Sequence, residues 1–376
     1  MDLNLISFLS FLITFQLLFV GIFLITHKKG KPCNNRILAA IFVLLGWNMG
    51  DLTLQMNGII FNWRFVQLID DGFILLYGPI FYIYTQAVIF RDFKLSNKHL
   101  LHLIPYLGLT ILILSLKNFV PRISTEAINN NLLWQLYLIR ALMYFHVSIY
   151  IGLAYSALWK YRKIIKSKYS QIDQINLDWL SSALNTFGLL ILASIFHNFI
   201  SLEENSIEFL VALALLLIFV FYFVNKVILK ALRQSEIFAG IAQDEPLKYK
   251  GSNLTQNQVE EYERQLLALF QTEKPYLNPK MSIADLSEKL SVPTKQLSQV
   301  INQSFNKSFF DFINGYRVQE VQRILKASKD DKLTILEVMY QAGFNSKSSF
   351  NTAFKKETGQ TPSEFRKTIQ QMRSTS

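Results

Sequence analysis

Long apolar stretches separated by short polar ones occupy the first 235 residues, and shorter amphipathic segments follow them. An α-helix that crosses a bilayer needs about 20 mostly apolar residues. The first apolar stretch lacks the basic start and the small-residue cleavage site of a signal peptide, so we interpret it as a retained helix. The pattern predicts seven membrane-spanning helices, at residues 3–25, 37–56, 66–90, 100–116, 132–159, 183–202 and 207–229.

The composition is as uneven as the pattern. Hydrophobic residues make up 51% of the chain and phenylalanine occurs 31 times, which is too apolar for an average soluble protein. The formal net charge is +11. The single cysteine, Cys33, excludes an intrachain disulfide and a cysteine-based zinc site. His99 and His102 have the spacing of metal ligands but no nearby carboxylate partner, so we predict neither a metal site nor a cofactor.

Basic residues are distributed unequally between the loops that join the predicted spans. The even loops hold only Arg64, Lys117 and Arg122. The odd loops hold Lys28, Lys29, Lys31, Arg36, Arg91, Lys94, Lys98, Lys160, Arg162, Lys163, Lys166 and Lys168. Because cytoplasmic loops carry an excess of Lys and Arg, we predict a multi-pass protein of the bacterial inner (cytoplasmic) membrane. Its N-terminus lies outside and its C-terminal part lies in the cytoplasm.

Six ionisable residues fall inside or at the start of predicted spans, where charge is costly and usually functional. One interpretation is a polar ligand site, or a charge pair such as Asp51 with Arg140. The alternative is placement at the membrane interface, with the Arg140 side chain extending towards the headgroups. The residues are Asp51, Asp70, Asp71, Arg140, His146 and His197.

Residues 236–276 join the two halves of the chain. Residues 225–240 are expected to continue the last span as a helix, 243–253 form a linker with Pro246 and Gly251, and 255–273 return to helix. An apolar stripe on that last helix is either a homodimer seam or a face that packs on its own domain. We hypothesise that a signal passes through the seventh span and this stripe. The stripe consists of Val259, Tyr262, Leu266, Leu269 and Phe270.

Residues 277–376 are predicted to form short helices arranged in two similar units. They include 15 basic and 9 acidic residues, a net charge of +6. In the first unit, Ser282 is a plausible N-cap and Pro293 lies near the start of the second helix. In the second unit, Thr334 and Glu337 form a capping box before the first helix. Each unit is a helix, a tight turn and a second helix, and a longer apolar-sided helix joins the units.

The sequence AGFNSKSSFNTAFKKETGQTPSEFRK resembles the signature of the AraC/XylS family of transcription regulators. The Gly-Phe turn corresponds to Gly343 and Phe344, and the closing Gly-x-x-Pro corresponds to Gly359 and Pro362. The paired aromatics correspond to Phe350 and Phe354, which we expect to be buried together. The resemblance covers residues 277–367 and implies a tandem helix-turn-helix domain whose second helices enter the major groove.

The resemblance assigns the polar side of each second helix to DNA contacts. The first of these helices has no arginine, the commonest guanine reader, which leaves its base preference open. The alternative for each side chain is a solvated helix surface. The residues are Lys295, Gln296, Ser298 and Gln299 in the first helix, and Lys347, Ser348, Ser349, Asn351, Thr352 and Lys355 in the second.

The fold predicted for the chain is therefore all-α: a seven-transmembrane sensor bundle over residues 1–235, a juxtamembrane segment over 236–276 and a DNA-binding domain over 277–376. The expected function is a membrane-bound, sequence-specific transcription regulator that binds double-stranded DNA, with an unidentified signal ligand for the membrane half. The alternative is a receptor or transporter whose cytoplasmic tail recruits a protein. No phosphate-binding loop, catalytic triad or metal cluster points to an enzyme. The sequence does not identify the signal, the operator or the sign of regulation.

Overall fold

The computed structural model describes residues 3–26, 31–58, 72–116, 130–173, 175–199, 207–233, 254–328 and 333–374. Its regular elements within these ranges are all helices, as the sequence predicts. The chain divides into two compact units. The first consists of Met1–Trp159 and Leu177–Gln243, and the second of Lys160–Asn176 and Asp244–Ser376.

Apolar helices build the first unit. Their leucine-, isoleucine- and phenylalanine-rich sequences favour helix and bury one side in the bundle. A 3-10 turn at Asn97–Leu103 precedes the fourth of them. They are α1 (Leu3–Thr26), α2 (Pro32–Met56), α3 (Ile74–Ile89), α4 (Ile104–Leu116), α5 (Asn130–Lys168), α6 (Asp178–Phe199) and α7 (Ile207–Arg233).

These helices are apolar on their outward sides as well. Phe8, Phe15 and Phe19 of α1 are each about 60% exposed, whereas Ile13 and Leu17 of the same helix are buried. A helix that is hydrophobic all round belongs in a large core or in a membrane. Within the described ranges, four helical stretches are long and apolar enough to cross a bilayer: Ile6–Thr26, Pro32–Leu54, Tyr137–Lys168 and Asp178–Ile195.

The count of seven spans is therefore not confirmed. Helix α3, Ile74–Ile89, is shorter than a span. Helix α7 has 27 residues, of which the stretch Val211–Lys226 is identified as apolar, and α4 has 13 residues up to the limit of the described range. The first part of the predicted third span, residues 66–71, lies outside the described residues. Four spans are supported by length and composition, and seven remains a prediction.

Polar side chains join the helices of this unit through hydrogen bonds. Ser10 and Thr53 link α1 to α2 with an oxygen–oxygen distance of 2.6 Å, and Gln16 donates to Asn225 of α7 at 2.9 Å. Tyr144 on α5 bonds Ser194 on α6 at 2.7 Å. Such bonds contribute to helix association where the surroundings offer no water.

Helix α5 departs from its prediction at its C-terminal end. The sequence suggested a span ending at residue 159 followed by a basic loop, but the helix continues to Lys168 and has 39 residues. At 1.5 Å per residue it is about 58 Å long, well beyond the roughly 30 Å of a hydrocarbon core. The basic residues assigned to the fifth loop up to Lys168 are therefore helical, and Lys160–Asn176 belongs to the second unit.

The second unit contains the predicted helix-turn-helix pair. Side-chain caps begin most of its helices, since an N-terminal turn has backbone N–H groups without an intrahelical acceptor. A 3-10 turn at Pro275–Leu277 follows the first helix. The helices are α8 (Gln256–Thr272), α9 (Ile283–Leu290), α10 (Thr294–Phe305), α11 (Phe309–Ala327), α12 (Ile335–Gln341), α13 (Lys347–Thr358) and α14 (Pro362–Ser374).

Helix α11 contributes to two hydrophobic cores. Its first half places Phe309, Phe312 and Ile313 in a core with α8, α9 and α10. Its second half packs in a core with α12, α13 and α14, to which it contributes Val321 and Leu325. One rigid helix thus supports both helix-turn-helix units.

The apolar stripe of α8 packs on its own domain. Leu266 is fully buried and Phe270 is nearly so, in the core shared with α9 and α10, while Tyr262 and Leu269 pack against that core from its edge. Leu266 and Phe270 are therefore unavailable to a homodimer seam, and this burial favours the second alternative, packing on its own domain. The hypothesis that a signal passes through the seventh span and this stripe stays a prediction.

Candidate nucleic-acid interface

The first helix-turn-helix unit consists of α9 and α10. Ser282 caps α9 as expected, because its hydroxyl accepts from the Asp285 N–H while the Asp285 carboxylate accepts from the Ser282 N–H at 2.8 Å. Ser291 ends α9 in the left-handed region, with a φ of 54°. Pro293 then precedes the first residue of α10. Leu297 and Ile301 bury the inner side of α10.

The assigned DNA-contact residues of α10 are not equally accessible. Lys295 is exposed and Gln296 and Gln299 are half-buried, with their amide Oε1 atoms buried and without a hydrogen-bond partner. Ser298 is 1% exposed, so its assignment to the polar side of the helix is wrong. The periodicity of the sequence assigned Ser298 to the wrong side because α10 packs against neighbouring helices on more than one side.

The second helix-turn-helix unit consists of α12 and α13. Thr334 and Glu337 form the predicted capping box at the start of α12, with the Glu337 carboxylate accepting from the Thr334 N–H at 2.7 Å. Gly343 begins the turn with a φ of 86°. A Cβ atom at that position would lie 2.6 Å from the Tyr276 carbonyl oxygen. The turn therefore requires glycine for both its conformation and its close packing.

The outward side of α13 presents most of the residues assigned to DNA. Lys347, Ser348, Asn351, Thr352 and Lys355 are exposed, and Ser349 is half-buried. On the inward side Phe350 and Phe354 are buried together, with ring centroids 5.9 Å apart, as predicted. The helix ends at Gly359, which adopts a φ of 77°.

Two ion pairs join α13 to the start of α11 and the turn before it. The Lys356 ammonium lies 2.6 Å from the Asp311 carboxylate, and the Lys307 ammonium lies 2.9 Å from that of Glu357. Burial would raise the pKa of the Asp311 carboxyl, but hydrogen bonds from Lys356 and Ser308 outweigh it and hold that pKa below its usual range. The pairs help to set the position of α13 relative to the first unit.

A buried arginine that the sequence analysis missed lies on α11. Arg317 is 2% exposed and donates to the carbonyl oxygens of Tyr276 and Asn278, each at 2.8 Å. Burial lowers the pKa of its guanidinium to about 10, which leaves it charged near neutral pH. Since an unpaired buried charge is costly, these carbonyl acceptors hold Arg317 in place and fix the turn before α9.

Arg317 also binds a residue far away in the sequence. Its Nη1 donates to the Ser170 carbonyl oxygen and its Nη2 to the Ser170 hydroxyl, both at 3.2 Å. The Ser170 N–H in turn donates to the Met281 carbonyl at 3.3 Å. Charge counting assigned this part of the chain to a cytoplasmic loop and offered no signal for the contact.

The same segment reaches the second helix-turn-helix unit. The Ser349 hydroxyl donates to the Asp173 carboxylate, whose oxygens lie 2.8 and 2.7 Å away. The Asn345 amide donates to the Gln171 side-chain oxygen at 2.6 Å. A residue assigned to DNA therefore has an intramolecular acidic partner in this structure.

Of the ionisable residues in the predicted spans, the structure describes the side chains of Asp51, Arg140 and His146. Asp51 lies on α2 and His146 on α5, where the His146 ring lies 5.0 Å from that of Tyr150 and both its ring nitrogens are buried without a partner. His197 lies on α6, in the part of that helix whose side chains are not described, and Asp70 and Asp71 lie outside the described residues.

Arg140 lines a cavity of about 380 Å³ in the first unit. Asp51 is not among the lining residues, and the charge pair suggested above stays a prediction. Apolar side chains from α1, α2, α3, α5, α6 and α7 form most of the wall. The polar side chains in the wall are Asn48, Tyr77, Arg140, Tyr144 and Ser194.

Comparison with known proteins gives matches for the second unit. Residues 286–368 match the model of a family described as a helix-turn-helix domain, which confirms that part of the resemblance stated above. The chain is similar to the Msm operon regulatory protein of Streptococcus mutans, with 32% identity over 90 residues, 24% of this chain and 31% of that protein. No solved structure gives a significant match.

A second relative is an uncharacterized HTH-type transcriptional regulator in the cgkA 5' region of Pseudoalteromonas carrageenovora. It is 28% identical over 102 residues, 27% of this chain and 58% of that protein. The chain thus spans about a third of the first relative and just over half of the second. The similarity covers part of each protein and not its whole length.

Proposed function

We propose that the chain is a membrane-bound, sequence-specific transcription regulator whose second unit binds double-stranded DNA. The observation that carries the proposal is the pair of helix-turn-helix units on one rigid helix, α11, within the range that matches the helix-turn-helix family. In this class of domain the second helix of each unit enters the major groove. The relatives named as regulators support the same function.

The surface chemistry of α13 suits this role. Lys347 and Lys355 are exposed, and within the described part of the chain neither forms an ion pair, so both are available to phosphates. Asn351 and Thr352 are exposed between them and are of the types that bond base edges. Helix α10 offers Lys295 and, from half-buried positions, Gln296 and Gln299.

The apolar outer surface of the first unit supports an anchor in the membrane. Four helical stretches have the length and composition of spans, and their exposed phenylalanines are unsuited to water. The basic residues of the odd loops favour a cytoplasmic C-terminal unit. Reporter fusions to both ends and to each loop test this topology, and an extracytoplasmic signal from the C-terminal fusion would refute it.

We further propose that the first unit senses a signal, for which the cavity lined by Arg140 is the candidate ligand site. Largely apolar cavities with a few polar groups are the usual form of small-molecule sites. The competing function is a receptor or transporter whose C-terminal unit recruits a protein. Tyr77 is already bonded to Asn48 and Tyr144 to Ser194, so Arg140 is the polar group of the cavity wall that we expect to bind an anionic signal.

Genome-wide mapping of the DNA bound by the intact protein tests the central proposal. Enrichment of a few promoter regions that share a motif is the expected result. If Asn351→Ala abolishes that enrichment while protein level and membrane location are unchanged, DNA binding depends on α13. An intact protein that enriches no DNA, while capturing a defined protein through its C-terminal unit, would favour the competing function.

A further inference from the structure

The segment that follows α5 binds across both helix-turn-helix units. We define the docking segment as residues 169–173. Ser170 is 2% exposed and bonds Arg317 and Met281. Tyr169 is exposed but forms a single antiparallel bridge with Ser282. Ser170 therefore anchors the start of the segment in the interior of the unit.

The second part of the docking segment lies at the end of α13 that is assigned to DNA. Ser349 is the third residue of that helix and donates its hydroxyl to the Asp173 carboxylate. Asn345, in the turn before α13, bonds Gln171. The side chains of Gln171 and Asp173 therefore lie at the N-terminal end of the candidate second DNA-reading helix.

An acidic group at this place resembles a DNA phosphate in carrying a negative charge and acceptor oxygens. The first turn of a helix has free N–H groups and the positive end of the helix dipole, and it favours anions. Phosphates of duplex DNA are commonly bound by hydroxyls and helix N-termini of this kind. Asp173 supplies an anion from within the chain and would also repel an approaching phosphate.

The two parts of the docking segment differ in packing. The contacts of Ser170 are buried, whereas a cavity of about 230 Å³ lies beside Asp173, lined by residues that include Asn314, Ser349 and Thr352. Separating closely packed groups costs free energy, and breaking contacts beside a cavity and near solvent costs less. The Asp173 end is therefore the part that can release while Ser170 stays bound.

From these observations we infer that the docking segment is an autoinhibitory element in which Asp173 and duplex DNA compete for the first turn of α13. The inference rests on the proposed DNA-binding function and adds its regulation. The segment directly follows α5, which begins in the first unit and ends in the second. A change in α5 would therefore reach the DNA-reading helix through Asp173.

Equilibrium DNA binding by the full-length protein in lipid nanodiscs tests the inference. The probe is a mixed-sequence duplex long enough to offer two successive major grooves, at low salt. We expect Asp173→Asn to bind about tenfold more tightly than the wild type, because the apparent affinity is proportional to the fraction of molecules in the open state, about one tenth in the wild type. Glu288→Gln is the matched control. Like Asp173→Asn it removes one negative charge, but at an exposed position on α9, so it should change the affinity far less.

A double variant separates the specific contact from general electrostatics. In a Ser349→Ala background, the gain from Asp173→Asn should fall to that of Glu288→Gln, because the hydroxyl that holds the carboxylate is gone. Wild-type affinity for Asp173→Asn, or weaker binding with a lowered melting temperature, would overturn the inference and make the segment a structural support. Absence of binding by the wild type and by all variants would overturn the DNA-binding proposal as well, so the two failures are distinguishable.

Discussion

The Arg317 guanidinium and Ser170, 147 residues apart in the sequence, form two hydrogen bonds with nitrogen–oxygen distances of 3.2 Å. The contact brings the chain just after α5 into the interior of the unit that contains both helix-turn-helix motifs. Arg317 also holds the carbonyl groups of Tyr276 and Asn278 in the turn before α9. One buried cation thus connects α11, that turn and the docking segment.

Replacing Arg317 by alanine should destabilise the second unit. The change leaves the buried carbonyl groups of Tyr276 and Ser170 without their Arg317 donor, and each unsatisfied group costs about 1–3 kcal/mol. We therefore expect the free energy of unfolding to fall by about 3 kcal/mol. Circular dichroism melts of the purified protein measure this. Lys326→Ala, at an exposed position on the same helix, is the control and should melt as the wild type does. Equal melts for both variants would contradict the role given to Arg317.

Two glycines with positive φ should respond differently to alanine. At Gly343 the added Cβ meets the Tyr276 carbonyl oxygen at 2.6 Å, whereas at Gly359 nothing lies within 4 Å. Gly359→Ala therefore bears only the conformational cost of the left-handed region, about 1–2 kcal/mol. Gly343→Ala bears a backbone clash as well and should be the more destabilised by at least a further 1 kcal/mol or so. Chemical denaturation of the two variants side by side shows which order holds, and the reverse order would exclude this packing of the turn.

Phe354 and Asn351 separate the folding side of α13 from its binding side. Phe354 is fully buried against Phe350 and Phe365, with ring centroids 5.9 and 5.4 Å away. Its replacement by alanine should cost about 3–5 kcal/mol and unfold the second helix-turn-helix unit. Asn351→Ala should leave the melting curve unchanged and weaken specific DNA binding. An unchanged melt for Phe354→Ala would show that the opposite side of α13 is buried.

The boundary of the DNA-binding unit can be tested with two fragments. A fragment of residues 277–376 lacks Leu266 and Phe270, which α8 contributes to the first core. Losing these two buried side chains removes about 4 kcal/mol of apolar burial, so this fragment should fold poorly. A fragment of residues 254–376 keeps them and should bind duplex DNA without the first unit, more weakly as salt rises. Equal circular dichroism spectra and melts for the two fragments would mean that α8 is dispensable.

Local pattern was sufficient to place the helices of the second unit. The capping boxes at Ser282 and Thr334 and the stop at Gly359 are encoded within three or four residues, because they depend on hydrogen bonds and φ angles of the same turn. The buried pair Phe350 and Phe354 follows from a spacing of four residues on one helix. The helical nature of the chain and its apolar first half are likewise local or compositional properties.

Only the tertiary structure could decide which polar residues are accessible and which distant segments meet. Ser298 is buried although it lies on the side of α10 that periodicity reads as polar, since the packing of neighbouring helices, and not the helix itself, determines exposure. The stripe of α8 fits a seam or a core equally well until its partners are known. Likewise no residue near Asp173 in the sequence indicates its contact with Ser349. The two residues are 176 positions apart, and their contact depends on how two separate parts of the chain pack, which a local sequence pattern does not describe.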